Sequence, residues 1–274
     1  MKQFLLNKEP DKNNFIRLDG GDYHYLVKVR RLAVGECFTA LLPNGSEAQV
    51  QIMSIENGVL VGKYFNTENI TQARTKGSQR EDTKETKEAS TLILFQALPK
   101  GDKMDLIVRQ AAEGGIAEIV PFVSEFSIAK ANASGQKYNR WEKIIKEARQ
   151  QSGSKTATSL RSLLSINDLL NYWHDLNKKN TLGVIFHHQK GLEQNSLHEY
   201  LNSDPQTIVF VIGPEGGFSE KEVSLFLENG FKTITIGDTV LRTETAALYC
   251  AAAIRILLLE RNSWELKQTR IDNV

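Results

Sequence analysis

Two loops near the C-terminus carry the residue types best suited to chemistry in this chain. The first loop, residues 213–217 (GPEGG), follows an apolar run at 207–212. The second, residues 241–246 (LRTETA), comes after a further apolar run at 232–236 and Gly237. Both runs have the length and composition of β-strands. We therefore expect the loops at the carboxyl ends of two neighbouring strands, the edge of an open α/β sheet where ligands bind.

The first loop is suited to holding a ligand through its backbone. Adjacent Gly216 and Gly217 would let the main chain approach a ligand without a Cβ in the way. A tight strand-to-helix turn with no ligand explains the glycines equally well. The loop matches neither the G-x-G-x-x-G fingerprint nor a phosphate-binding loop. This favours a cofactor held by backbone edges over one held by its pyrophosphate.

The second loop concentrates polar groups just before an apolar helix. Thr243 or Thr245 would cap that helix, and Glu244 suits its positive end. These structural roles do not explain Arg242, because a cation is unfavourable at a helix N-terminus. We expect Arg242 to hold a substrate oxygen or to pair with Glu244.

Two regions of different pattern must position these loops. Residues 1–65 contain short β-forming runs separated by Asn-Gly turns, with a helical signal only at 22–31, and predict a small β-barrel. Residues 66–90 are almost wholly polar, and most of this stretch is interpreted as a linker. The predicted domains are thus a barrel at 1–68, a linker at 69–90 and a second domain at 91–274.

From residue 91 onward, strand-length and helical patterns alternate. This predicts an α/β fold with a mostly parallel sheet and helices on both faces. The expected strands are 91–98, 118–123, 182–186, 207–212 and 232–236. The expected helices begin at Asp102, span 140–151, follow a capping box at Ser219 and Glu222, and span 246–259.

Composition limits the possible functions. Only two cysteines, Cys37 and Cys250, occur in 274 residues, which favours a reducing compartment over a disulfide framework. Neither a signal peptide nor a membrane span is expected, and no histidine has a partner at metal-ligand spacing. The net charge is +1, but basic residues cluster at 1–31 and 137–161. They predict either solvated faces or a surface that follows RNA phosphates.

Several segments together resemble one known family, the ribosomal RNA small-subunit methyltransferase E family of the SPOUT class. The two C-terminal loops carry much of this resemblance. Residues 97–105 (ALPKGDKMD), 140–141, 147–148 and 151–152 also match, as do His24, Val29, Arg31, Leu32 and Gly35. The chain departs from the usual residues at Gln110, Gly114, Phe126 and Ser154.

The resemblance implies a trefoil-knot domain, a PUA-like RNA-binding barrel and a cytoplasmic homodimer that methylates N3 of one uridine in 16S ribosomal RNA. It implies no metal and no membrane. The implied ligand of the knot is S-adenosylmethionine, held by His187, Ile212, Gly213, Pro214, Glu215, Gly216, Gly217, Ile236, Gly237, Val240, Leu241, Arg242, Thr243 and Ala246. RNA, free or in the small-subunit particle, would be held by Lys2, Arg30, Arg31, Lys100, Lys103, Lys130, Arg140, Arg149 and Lys155.

The chemistry of the reaction assigns two further roles. Uracil N3 must lose its proton before it can attack a methyl group, so the resulting anion needs stabilisation and the proton needs an acceptor. Arg242 is the expected stabilising group, and Glu244 or a backbone-held water the expected acceptor. The alternatives are another SPOUT methyltransferase, acting on a ribose hydroxyl or on transfer RNA, and a non-catalytic assembly factor. A nicotinamide-dependent oxidoreductase is disfavoured by the missing fingerprint.

Overall fold

The computed structural model describes residues 3–43, 46–66, 90–127, 135–176, 180–187 and 195–271, with side chains up to residue 260. The chain divides into two compact units. The first contains the described residues up to position 66 together with Arg149–Ala157, and the second contains the rest. Apart from Ser90, the predicted linker at 69–90 lies outside the described residues.

The first unit is built on a five-stranded sheet with the order β1-β3-β4-β5-β2. Strands β1 and β3 are parallel, and the other pairs are antiparallel. The strands are β1 (Phe4–Leu5), β2 (Phe15–Leu18), β3 (Cys37–Leu41), β4 (Glu47–Glu56) and β5 (Val59–Asn66). Between β2 and β3 lie α1 (Gly20–Tyr23) and a π-helix (His24–Val29), so the helical segment begins before the predicted residue 22.

Local sequence explains the central hairpin of this sheet. Asn57 and Gly58 join β4 to β5 with φ angles of 49° and 77°. Positive φ at both central residues is what a tight hairpin turn requires, and Asn-Gly supplies it with little strain. Strand β2 was not predicted, because its single intervening arginine, Arg17, leaves too short an alternation to recognise.

A segment distant in sequence completes the first unit. Within it, the Gln3 side chain donates a hydrogen bond to the Ser154 carbonyl at 3.3 Å. Lys155 Nζ lies 3.5 Å from a carboxylate oxygen of Glu47. The segment Arg149–Ala157 therefore packs with the strands of the first unit, an arrangement that sequence spacing does not indicate.

The second unit contains a six-stranded sheet with the order β11-β9-β10-β6-β7-β8. Every described pairing in this sheet is parallel, as predicted. The strands are β6 (Thr91–Ala97), β7 (Glu118–Phe122), β8 (Ser159–Leu160), β9 (Thr181–Phe186), β10 (Thr207–Ile212) and β11 (Lys232–Ile234). The two-residue edge strand β8 was not predicted.

Helices cover both faces of this sheet, which confirms the α/β prediction. Side chains of β10 alternate: Ile208 and Phe210 join one buried cluster, and Val209 and Val211 join the other. The helices are α2 (Lys103–Glu113), α3 (Gly135–Ser152), α4 (Ile166–Leu176), α5 (Leu197–Leu201), α6 (Glu220–Glu228) and α7 (Thr243–Ile271). Helices α2, α3, α5 and α7 contribute to the first cluster, and α4 and α6 to the second.

One prediction about the sheet is wrong. The strands that precede the two loops, β10 and β11, are not neighbours, because β9 lies between them and pairs with both. Sequence order suggested adjacency, but strand order in a parallel sheet is set by the crossover connections. The chain that leaves β11 must therefore pass the end of β9 to approach the end of β10.

Candidate functional site

A cavity of about 410 Å³ opens at the carboxyl edge of the parallel sheet. Its walls come from the ends of β9, β10 and β11 and from the start of α7. Most residues of the two predicted loops line it. The lining consists of Phe186, His187, Ile212, Gly213, Pro214, Glu215, Gly216, Gly217, Phe218, Val223, Ile234, Thr235, Ile236, Thr239, Val240, Leu241, Thr243, Ala246 and Cys250.

A hydrogen bond joins the two loops directly. The Thr243 hydroxyl donates to the Gly213 carbonyl at 2.7 Å. Thr243 is buried and is the first residue of α7, so it does not act as the cap that the sequence suggested. Because Thr243 and Gly213 both line the cavity, this bond holds the start of α7 against the loop after β10.

A buried glutamine supports this junction. Gln96, at the end of β6, donates from its side-chain nitrogen to the Thr243 hydroxyl at 3.0 Å and to the Ala97 carbonyl at 2.9 Å. Because the Thr243 hydroxyl oxygen accepts the bond from Gln96, its proton remains available for the bond to the Gly213 carbonyl. Sequence reasoning missed Gln96, for which a polar residue in an otherwise apolar strand was the only signal.

The first loop depends on small residues for its shape. A Cβ on Gly216 would lie 2.9 Å from the Cβ of Phe126, closer than side chains normally approach. The Gly217 amide donates to the Pro214 carbonyl at 3.0 Å, and Gly217 has a φ of 71°. The loop therefore turns tightly against Phe126.

The predicted capping box at the start of α6 is confirmed, and it has a second role. Ser219 and Glu222 exchange the two expected hydrogen bonds. The buried Glu222 carboxylate also accepts from the Ser124 hydroxyl at 3.2 Å and from the Glu125 amide at 2.9 Å. One carboxylate thus fixes the turn after β7 against the turn after β10.

A lysine connects the turn after β6 with both loops. Lys103 Nζ lies 2.6 Å from a Glu215 oxygen and 3.8 Å from Glu244 Oε2. The Lys100 amide also donates to both Glu215 oxygens, at 3.1 and 3.2 Å. Partial burial acts to raise the pKa of Glu215, but the bonds from Lys103 and from backbone amides outweigh it and hold this pKa below its usual range.

Arg242 and Gly237, both predicted at the cofactor site, do not line the cavity. Arg242 is exposed, at the residue before α7. Its carbonyl accepts the first hydrogen bond of the helix, from the Ala246 amide at 2.7 Å. Arg242 is therefore an exposed residue beside the site, and the nearby Glu244 carboxylate is paired with Lys103 instead.

The predicted RNA-binding residues fall into different environments. Two of them, Lys2 and Lys130, lie outside the described residues. Arg140 pairs with Asp105, which also accepts from the Trp141 indole at 3.0 Å. Of the others, Lys103 and Lys155 are ion-paired, Lys100 and Arg31 are exposed, and Arg30 and Arg149 are partly buried.

The Cys250 thiol, which lines the cavity, is not suited to act as a nucleophile. Burial raises the pKa of the Cys250 thiol, which keeps it in the unreactive protonated form. Within the described residues, no three His, Cys, Asp or Glu side chains are grouped to hold a metal ion. No described helix is long and apolar enough to cross a membrane. The site therefore offers a shaped cavity, backbone groups and a few charged side chains at its rim.

Comparison with known families and proteins gives a consistent result. Residues 86–255 match the model of the RNA methyltransferase domain family. Ribosomal RNA small subunit methyltransferase E 2 of Borreliella burgdorferi is 31% identical over 265 residues, which cover 96% of this chain and all of the relative. The Bacillus subtilis ribosomal RNA small subunit methyltransferase E is 27% identical over 86% of this chain and 88% of its own.

Solved structures share the fold. The Neisseria gonorrhoeae ribosomal RNA small subunit methyltransferase E, crystallised with S-adenosylmethionine, aligns with a TM-score of 0.75 and 25% identity. The alignment covers 94% of this chain and 98% of that one. A Porphyromonas gingivalis protein described as a probable rRNA methyltransferase aligns with a TM-score of 0.71 at 23% identity, covering 94% and 99% of the two chains.

Proposed function

This chain belongs to the ribosomal RNA small subunit methyltransferase E family, and from that premise we propose how its site works. The protein is an S-adenosylmethionine-dependent methyltransferase of 16S ribosomal RNA. The proposed target atom is N3 of one uridine, and the proposed place of action is the cytoplasm. The observation that carries the proposal is the cavity whose wall is closed by the hydrogen bond between Thr243 and Gly213.

The cavity fits the cofactor in size and in the chemistry of its walls. Its volume of about 410 Å³ falls within the range of about 300–1,000 Å³ typical of small-molecule sites. Apolar side chains such as Phe186, Ile212 and Ile236 suit a flat adenine ring, and the main chain at 213–217 offers polar groups at its edge. The proposed holding residues are those predicted from sequence, with Gly237 and Arg242 at the rim rather than in the wall.

The protein's own task is chiefly one of position. The cofactor supplies an activated methyl group when bound, so the residues around the cavity must hold the acceptor atom in line with it. Arg242, exposed at the rim and not consumed by an ion pair with Glu244, is proposed to bind a carbonyl oxygen of the target uracil. There it would stabilise the negative charge that spreads from N3 onto that oxygen.

Removal of the N3 proton needs an acceptor at the same rim. Glu244 is the ionisable side chain next to Arg242 in its loop that could take a proton. Its Oε2 is buried, lies 3.8 Å from Lys103 Nζ and makes no hydrogen bond among the described residues. We propose that Glu244 accepts this proton, directly or through one water molecule. Since the uracil ring must reach the rim edge-on, the target nucleotide has to be single-stranded or flipped out of its helix.

The remaining architecture is proposed from the family. The first unit would be a PUA-like barrel that binds RNA, and the passage of the chain past β9 would belong to a trefoil knot. Helix α7 would form the core of a homodimer interface. Its exposed apolar side chains support this role, since large apolar groups in water favour association: Leu248, Tyr249, Ile256 and Leu259.

Nucleoside analysis tests the proposed reaction. Small subunits from a strain lacking the gene are incubated with the purified protein and labelled cofactor, and their nucleosides are separated by mass spectrometry. Label in N3-methyluridine supports the proposal. Label in a 2′-O-methylnucleoside, or only in transfer RNA, would assign the protein to another reaction. Absence of cofactor binding by calorimetry would favour a non-catalytic assembly factor.

A further inference from the structure

Lys103 lies where three segments of the second unit converge. It is the first residue of α2, in the turn that follows β6. Its ammonium group lies 2.6 Å from Glu215, in the loop after β10, and 3.8 Å from Glu244, in the first turn of α7. Glu215 lines the cavity, and Thr243, next to Glu244, lines it too. One cation therefore touches side chains from both loops that form the cavity.

Backbone hydrogen bonds reinforce the contact between Lys103 and Glu215. The Lys100 amide donates to both oxygens of Glu215, so this carboxylate binds the turn before α2 through the main chain as well as through Lys103. Hydrogen bonds to a charged partner are shorter and about twice as strong as neutral ones. Glu215 is therefore held in one orientation, which in turn fixes the loop on either side of it.

The contacts with Glu215 and Glu244 leave the Lys103 ammonium group poorly placed to bind another anion. Its side chain is about one third exposed, at 34%, and it faces two carboxylates. An RNA phosphate would have to compete with both for the same cation. The sequence-based assignment of Lys103 to RNA binding thus has a competing interpretation in which the lysine serves the cavity.

We propose that Lys103 is a positioning residue for cofactor binding, which ties the Glu215 loop and the start of α7 together through its two carboxylate contacts. This rests on the proposed function, because it takes the cavity to be the cofactor site. Lys103 does not touch the cavity itself, so it acts through Glu215 and Glu244. The loops it joins must be held side by side before the cofactor binds, since ordering them on binding would cost affinity.

A double-mutant cycle with a matched control tests the proposal. Lys103→Met and Glu215→Gln, alone and together, are compared with wild type by calorimetry with S-adenosylmethionine. Each single change should weaken binding by roughly fivefold, the effect of one partly exposed ion pair. The double variant should bind about as weakly as Lys103→Met alone, because that single change already removes the contact with Glu215. Lys103→Arg should restore most of the affinity.

Lys143→Met, which removes an exposed lysine 3.9 Å from Glu147 on α3, is the control and should bind normally.

Hydrogen exchange in the absence of cofactor separates this proposal from the function on which it rests. Amides at 213–217 and 241–246 should exchange faster in Lys103→Met than in wild type or in Lys143→Met. Equal exchange together with equal affinity would overturn the positioning role while leaving the methyltransferase assignment intact. Normal cofactor affinity with weakened RNA affinity in Lys103→Met would also overturn it and return the lysine to the RNA surface.

Discussion

Thr243 and Gly213 are 30 positions apart in sequence and are joined by a hydrogen bond of 2.7 Å from hydroxyl to carbonyl. This bond brings together two loops whose preceding strands are separated by β9. It is also part of a chain of donors, since Gln96 donates to the same hydroxyl. The geometry of the cavity, the proposed cofactor site, therefore depends on one small polar side chain.

Replacing Thr243 by valine should weaken both folding and cofactor binding. Valine keeps the shape but removes the hydroxyl, which leaves the Gly213 carbonyl and the Gln96 amide without this partner. We expect a loss of about 1–3 kcal/mol in the free energy of unfolding, measured by urea denaturation, and weaker cofactor binding by calorimetry. Thr245→Val removes an exposed hydroxyl from the same helix turn and should change neither. Equal effects of the two substitutions would show that the Thr243 hydrogen bond is unimportant.

Gly216→Ala should distort the first loop, because the new methyl group would lie 2.9 Å from the Cβ of Phe126. We expect cofactor affinity to fall by at least about fivefold, since overpacking typically costs about 1–3 kcal/mol. Adding Phe126→Gly should restore part of the affinity because it removes the clashing atom. Phe126→Ala keeps that atom, so it is the matched control and should not rescue Gly216→Ala. Rescue by both changes would mean that the clash is not with the Cβ.

Arg242→Ala should impair turnover far more than cofactor binding. Removal of a single group that stabilises a developing negative charge typically costs about 10²-fold or more in rate. Turnover is measured on small subunits under saturating cofactor, and cofactor affinity by calorimetry. Arg109→Ala, which removes an exposed arginine from α2, provides the comparison. Near-normal turnover in Arg242→Ala would remove the arginine from the proposed mechanism.

The first unit should supply part of the electrostatic attraction for RNA. We expect Arg30→Gln with Arg31→Gln to weaken RNA binding and to lower the slope of affinity against salt by about 0.7–0.9 for each phosphate that the variant no longer binds. Glutamine is preferred to alanine or glycine because Arg31 has a φ of 58°, and an unbranched side chain leaves that backbone preference nearly unchanged. Lys8→Gln, in the same unit, is the control. An unchanged slope in the arginine variant would exclude phosphate binding at these positions.

Tyr172 should make stability fall at alkaline pH. Its burial, followed by its hydrogen bond to Glu118, raises the pKa of the phenol from 10.0 to about 12. The folded state thus favours the neutral phenol. The contribution of Tyr172 to stability is therefore complete below its unfolded pKa of 10.0 and is lost as the pH rises towards its folded pKa of about 12. Urea denaturation at a series of alkaline pH values measures the decline. Tyr172→Phe should flatten it, and an unchanged decline would assign the loss to other groups.

Local patterns were sufficient to predict much of the site. The glycine loop, its capping box and the apolar strand before it lie within 16 consecutive residues, and all occur where the sequence places them. The predicted strands at 91–98 and 118–123 are each one residue shorter at their ends. Short-range patterns reflect backbone conformation and local hydrogen bonding, which a run of residues determines largely on its own.

Long-range pairings were not predictable in the same way. Gln96 and Thr243 are 147 positions apart, and Lys103 and Glu215 are 112 apart. No periodicity or spacing connects such pairs, because they meet only through the strand order of the sheet. The same reason accounts for the wrong expectation that β10 and β11 are neighbours, and for the unexpected place of Ser154 and Lys155 in the first unit.

The strand order also has a consequence for synthesis of the protein. In the centre of the sheet, β10 pairs with β6 from Thr207 and Thr91 onward, and the wall of the cavity is finished only by Thr243. A nascent polypeptide that has not yet exposed α7 outside the ribosome has the loop after β10 but lacks the Thr243 hydroxyl that bonds to it. We therefore expect competence to bind ligand to be acquired late in translation, after α7 has emerged, and slow maturation is expected of such non-local topology.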